Sequence, residues 1–186
     1  MINLDELGKK ICIIGCSSSG KSTLAEKLAV KLNIPAYHLD ILAHYPHSKW
    51  ERKSDHELIA AHAAILKKDK WIIDGNYSVC IPERIKEANS IIWLDTNVLT
   101  SALRYVVRSL KNSPERIGRL PGAKNEFRLF MLKQILFIYP KNRAKYQKLM
   151  SNCEKLVVSI VDMKTLNQYY TQWNLQIAKC KVATER

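Results

Sequence analysis

The stretch Gly15-Cys16-Ser17-Ser18-Ser19-Gly20-Lys21-Ser22, with Thr23 after it, constrains the fold of this chain more than any other. Its spacing fits G-x-x-x-x-G-K-[ST], a phosphate-binding loop. Before it runs Lys10-Ile11-Cys12-Ile13-Ile14, a short apolar run rich in β-branched residues, which reads as a buried parallel strand. After it, Leu24, Leu28 and Leu32 recur at helical spacing. A strand, a glycine-rich turn and a helix in that order place successive backbone N–H groups and a helix N-terminus around one point, which makes an anion cradle. Gly15 to Thr23 therefore form the expected nucleotide-binding segment. Lys21 is placed to reach the outer phosphates of a nucleoside triphosphate, and Ser22 offers a hydroxyl to Mg2+.

The remaining bounds are broad. A chain of 186 residues with 47% hydrophobic content is expected to form a single domain over residues 1–186 with a proper core. It has no apolar run of eighteen residues, so no membrane span is expected. Acids near the N-terminus and the lack of a signal-type apolar region suggest a cytoplasmic protein. Five cysteines without a C-x-x-C pair make a poor disulfide framework. Cys12 is expected in the core. Cys16 sits beside a lysine and a helix N-terminus, which favours a reactive thiol, although an inert loop residue is the preferred reading. The formal net charge of +13 is compatible with nucleic acid, anionic metabolites or plain solubility.

Read in order, the chain alternates strands and helices, which implies a parallel sheet with helices on both faces. Strands are expected near 10–15, 36–39, 71–73, 90–94 and 155–160. Helices are expected near 21–33, from the Ser54/Glu57 capping box onward, near 82–87 and 97–112, beyond Phe127 and, after an interruption, again beyond Pro140, and around Leu166 to Trp173. Residues 40–68 form an acceptor-side loop and helix, and residues 109–123, marked by Pro114 and Pro121-Gly122, form a short lid. In a parallel sheet the strand C-termini share one edge, so Gly15, Asp40, Asp74 and Asp95 gather there.

Asp74 ends an apolar strand, the position of an acid that holds Mg2+ or its water. Asp40 is expected to end the second strand, where it accepts a proton from a hydroxyl or binds metal. His38 and His44 are candidates too, with a structural role preferred, and Trp50 and Arg52 are candidates to line an acceptor pocket. Asp95 is expected to cap the next helix. Arg104, Arg108 and Lys111 share one helix face and lead towards Arg116 and Arg119, a stripe able to clamp a phosphoryl group. Aromatic and basic residues interleave from Phe127 to Tyr146; an amphipathic helix is preferred there over a single-strand nucleic-acid surface.

The phosphate loop, Trp71-Ile72-Ile73-Asp74-Gly75-Asn76-Tyr77, and Trp93-Leu94-Asp95 followed by Arg104 and Arg108 resemble the adenylate-kinase-like nucleoside monophosphate kinase superfamily. The group it most resembles is the bacterial DNA topology modulation proteins. The resemblance implies a three-layer αβα sandwich of the P-loop NTPase class, with a five-stranded parallel sheet in 2-3-1-4-5 order and ATP on the loop. Asp74 then matches the magnesium-associated acid, and Arg104 and Arg108 match catalytic arginines at the lid. Asn76, Tyr77 and Ser78 stand where those kinases carry Phe-Pro-Arg, so AMP is not the implied acceptor. The leading expectation is an Mg-ATP-dependent phosphotransferase acting on a nucleotide or other small molecule. Lys21, Asp40, Asp74, Arg104 and Arg108 would be its catalytic set, Ser22 and Asp74 its metal ligands, and Arg119 a further contact to the nucleotide. A nucleotide-dependent DNA-binding regulator is the alternative.

Overall fold

A computed structural model describes residues 1–48, 50–110, 120 and 127–175. Its centre is β1 (Lys10–Gly15), flanked by β3 (Trp71–Asp74) and β4 (Ser90–Leu94), with β2 (Ala36–His38) and β5 (Leu156–Ile160) at the edges. All pairings are parallel, and the order is β2-β3-β1-β4-β5. The middle strands are apolar on both faces because both faces are covered. On one face, Leu24 and Leu28 of α1 (Lys21–Leu32) pack with Leu166, Tyr169 and Trp173 at the C-terminal end, most of them in α8 (Met163–Gln172). On the other face, Leu58 and Ile65 of α3 (Asp55–Leu66) meet Tyr105 of α5 (Val98–Leu110) and Tyr146 of α7 (Tyr139–Ser151). Burying each such side chain contributes about 1.5–3 kcal/mol as an upper estimate.

Local signals account for the boundaries. Asn33 takes the left-handed conformation (φ 53°) that closes α1, and Pro35 follows it. The Ser54/Glu57 capping box opens α3 with both reciprocal bonds formed. A short helix α4 (Ile81–Glu87) follows β3.

Three expectations need correction. The second strand ends at His38, and Asp40 lies in a one-turn helix, α2 (Leu39–Leu42), rather than at the strand's tip. Asp95 does not cap α5. Asn97 does so, its Oδ1 accepting from the Leu99 and Thr100 N–H groups at 2.8 and 3.4 Å, while Asp95 takes a two-pronged bond from Arg143. The helix after Phe127 is not interrupted at Pro140. It runs as α6 (Leu129–Lys133), one π turn (Gln134–Ile138) and α7. Proline lacks the N–H that an unbroken α ladder needs, and the wider turn before Pro140 absorbs that loss. The expected lid falls largely outside the described residues.

Candidate active site

Gly15, the last residue of β1, has φ 145°, and a Cβ there would stand 2.3 Å from the Leu94 carbonyl oxygen of β4. Only glycine fits. The Asn76 amide grips the same residue from the other side: Gly15 N–H donates to Asn76 Oδ1 at 3.0 Å, and Asn76 Nδ2 donates to Gly15 O at 2.5 Å. Beyond it, Ser18 (φ 64°) and Gly20 (φ 108°) turn the backbone inward, and α1 begins at Lys21. The buried hydroxyls of Ser18 and Ser19 find no partner among the described residues, as suits a loop shaped for an anion.

Lys21 Nζ donates to Gly15 O at 3.0 Å and Cys16 O at 2.7 Å, so the ammonium lies folded over the loop. Burial lowers its pKa. The charges of Asp74 and Asp40 oppose that shift, and Arg108 adds to it. Two acids and one arginine thus act on the lysine electrostatically. Cys16 is fully buried, and burial raises its thiol pKa despite Ser101 and Lys21, which removes the reactive-thiol reading.

Ser22 Oγ donates to Asp74 Oδ2 at 2.7 Å, joining the two expected metal ligands directly. A hydroxyl beside a carboxylate is the oxygen donor chemistry that Mg2+ takes, with waters and phosphate oxygens completing its shell. Among the described residues no group of three or more His, Cys, Asp or Glu could hold a metal ion.

The structure adds a residue to this pair. His38 Nδ1 lies 2.5 Å from Asp74 Oδ1, and its Nε2 lies 2.8 Å from Glu26 Oε1. Burial alone would lower the His38 pKa; the bond and charge of Asp74, then those of Glu26, override it and raise it to about 9. A protonated imidazole donates through both nitrogens and so locks Asp74 in one orientation. Composition holds no hint of this. The signal lies in register, because β2 and β3 pair with His38 level with Asp74.

Asp40 is exposed, and Tyr77 OH donates to its Oδ1 at 3.2 Å. Tyr77 therefore has its own role in the segment that departs from Phe-Pro-Arg. Arg104 reaches from α5 to the loop, its Nη2 3.7 Å from the place of a Cβ on Gly20, and its Nη1 contacts the Met163 sulfur. Arg108 lies over the Tyr105 ring at 5.8 Å. Arg119 lies outside the described residues. A cavity of about 380 Å³ opens beside β2, lined by Tyr37, His38, Ile41, Leu42 and Lys53 among others. Its wall holds neither Lys21 nor the α5 arginines, so it is not where phosphates would sit.

A family model described as an AAA domain matches residues 10–146. The chain belongs to that AAA-domain family. This AAA domain shares its fold with small P-loop kinases. A gluconokinase from Sinorhizobium meliloti 1021 is 16% identical, with 90% of each chain covered and a TM-score of 0.54. A shikimate kinase from Bacteroides thetaiotaomicron is 13% identical, with 89% of this chain and 98% of that one covered and a TM-score of 0.49. No curated protein matches the chain. No helix among the described residues is long and apolar enough to cross a membrane.

Proposed function

We propose that this AAA-domain protein is an Mg-ATP-dependent phosphotransferase acting on a small hydroxylated molecule. The observation that carries the reading is the geometry at the loop, where Ser22 Oγ donates to Asp74 Oδ2 at 2.7 Å and Lys21 Nζ folds onto the Gly15 and Cys16 carbonyls. Arg104 stands beside Gly20 of the same loop, and the charges of Asp74, Asp40 and Arg108 bear on the lysine. A nucleotide cradle alone needs no second acid and no arginine pair on the facing helix. Phosphoryl transfer needs both, to orient the acceptor and to neutralise charge spread over the moving group.

In this reading the loop N–H groups and Lys21 hold the β- and γ-phosphates, the ammonium swinging from the Gly15 and Cys16 carbonyls onto the nucleotide. Ser22 and Asp74 would hold Mg2+, which would supply charge neutralisation for the phosphoryl group. The acceptor oxygen attacks the γ-phosphorus, the bond to the β-phosphate oxygen breaks, and ADP leaves. The hydroxyl proton passes to Asp40. Arg104 and Arg108 cover the transferred group. The acid-glycine pair and the two arginines four apart also support kinship with adenylate-kinase-like enzymes.

Purified protein with Mg-ATP and a panel of nucleosides, nucleotides and small alcohols is expected to release ADP above background with at least one acceptor. Lys21→Ala should reduce ATP affinity or turnover by about 100-fold, the scale of losing a charged transition-state contact. Unchanged affinity and rate in that variant would sink the assignment.

A further inference from the structure

The run from Phe127 to Tyr146, in which aromatic and basic residues interleave, is only half absorbed by the core. Tyr139 and Tyr146 are buried, but Phe130 and Phe137 stand outward with Lys133 between them, all three exposed. The neighbouring helix repeats the pattern. On α5, Leu99, Leu103, Val107 and Leu110 recur at spacings of four, four and three, which sets them on one face over about 16 Å. That face is turned away from the core, since α5 buries Ser101, Ala102 and Tyr105 instead. Among these leucines and phenylalanines exposure runs from 61% at Phe137 to 77% at Leu110.

The two helices lie side by side. The π turn packs against α5, and the inner sides of both enter the same core cluster on one face of the sheet, through Ala102 and Tyr105 on α5 and Ile135, Tyr139 and Tyr146 on the other. Their outer sides therefore turn away from that core together. The charge there is of one sign: residues 97–110 and 127–153 hold eight Lys or Arg and no Asp or Glu, a large share of the net +13. An exposed apolar face of this extent marks contact with another apolar body, and the charge decides which. A second copy of the chain would set the same cations against these. Nucleic acid would satisfy the cations and leave the leucines in water. An anionic bilayer satisfies both, because apolar side chains enter its interface while the lysines among them reach the headgroups.

We propose that the outward face of α5 and of the α6–α7 helix docks on an anionic lipid bilayer, with its leucines and phenylalanines in the interface and the exposed Lys133 and Lys141 at the lipid phosphates. The surface stands apart from the phosphotransferase reading, because none of these residues belongs to the phosphate-loop site.

The test is co-sedimentation of the full chain with vesicles of phosphatidylcholine alone or of an equal mixture with phosphatidylserine. Saturable binding is expected to the mixed vesicles, at least about tenfold weaker binding to phosphatidylcholine alone, and release from the mixture as salt rises from about 0.1 to 1 M. The pair Leu99→Asn and Leu103→Asn, and separately Phe130→Asn, should weaken binding about tenfold through lost apolar contact, and Lys133→Gln about fivefold. These positions are exposed, so the variants are compared at unchanged urea midpoints. Val30→Asn, at an 83% exposed apolar residue on the opposite face of the sheet, and Lys31→Gln beside it should change binding less than about twofold. The proposal is overturned if the mixed vesicles hold no protein, or if the leucine and phenylalanine variants match Val30→Asn, which would leave adsorption by charge alone. It is also overturned if sedimentation velocity shows a dimer that the leucine pair dissolves, because a second copy then covers the face. Binding to poly-L-glutamate or duplex DNA in place of vesicles would overturn it in favour of an acidic macromolecule.

Discussion

At the scale of single residues, the decisive group is Asp74, which is 3% exposed and bonded to Ser22 on one oxygen and His38 on the other. A buried carboxylate held at both oxygens has one orientation available, and that orientation faces the phosphate loop. His38→Leu removes one support and leaves the acid turned by Ser22 alone. Supporting residues of this kind typically change metal affinity by about 10–100-fold. The variant is therefore expected to lose at least about tenfold in affinity for Mg-ADP but much less for ADP with a chelator present, measured by titration calorimetry. Equal losses with and without metal would mean that His38 serves only the fold. Glu26→Gln, which keeps an acceptor for His38 Nε2, should fall between wild type and His38→Leu.

Elements set where those residues stand, and here the sequence is legible in parts. The glycine loop, the five strands and the Ser54 cap are local patterns, and local patterns survive folding. Asn76 is different. Its amide clamps Gly15, sixty-one positions away, and no spacing rule reports a bond of that range. The same holds for Asp95 and Arg143, which tie the end of β4 to α7, and for His38, whose role depends on the register of β2 against β3. Asp40 was readable as a residue near the sheet edge but not as part of a one-turn helix, because four residues carry too little periodicity. Two substitutions test the element-level picture. Asn76→Ala removes the side-chain acceptor of the Gly15 N–H, leaves the Gly15 carbonyl to Lys21 alone, and should cost about 2 kcal/mol in chemical denaturation, since unsatisfied buried groups cost more than a net hydrogen bond. Gly15→Ala should cost more, because its Cβ meets backbone of β4 that cannot rotate away. A Gly15→Ala protein as stable as wild type would mean that β1 and β4 do not meet there as described.

For the molecule as a whole, charge and burial meet at His62. The formal net charge is +13, and it rises further as acid protonates carboxylates. His62 is buried on the inner side of α3, and burial, with Arg84 adding a like charge, lowers its pKa to about 4. Arg84 itself is fully buried and donates to Gly75 O at 2.7 Å, holding the turn that follows Asp74. Protonating His62 therefore adds a second buried cation that the Arg84 charge opposes. Between pH 6.5 and about 4 the unfolded chain binds a proton at His62 that the folded chain refuses. Stability falls with pH across that window, by at most about 1.4 kcal/mol per pH unit for this one group. His38 does not contribute there, since its raised pKa places its dependence between pH 6.5 and about 9, with stability lost as pH rises. His62→Leu should flatten the acid side of a stability–pH curve from urea unfolding, most clearly above pH 5 where most carboxylates remain ionised. A variant curve running parallel to wild type from pH 6.5 downward would place the acid sensitivity elsewhere than at His62.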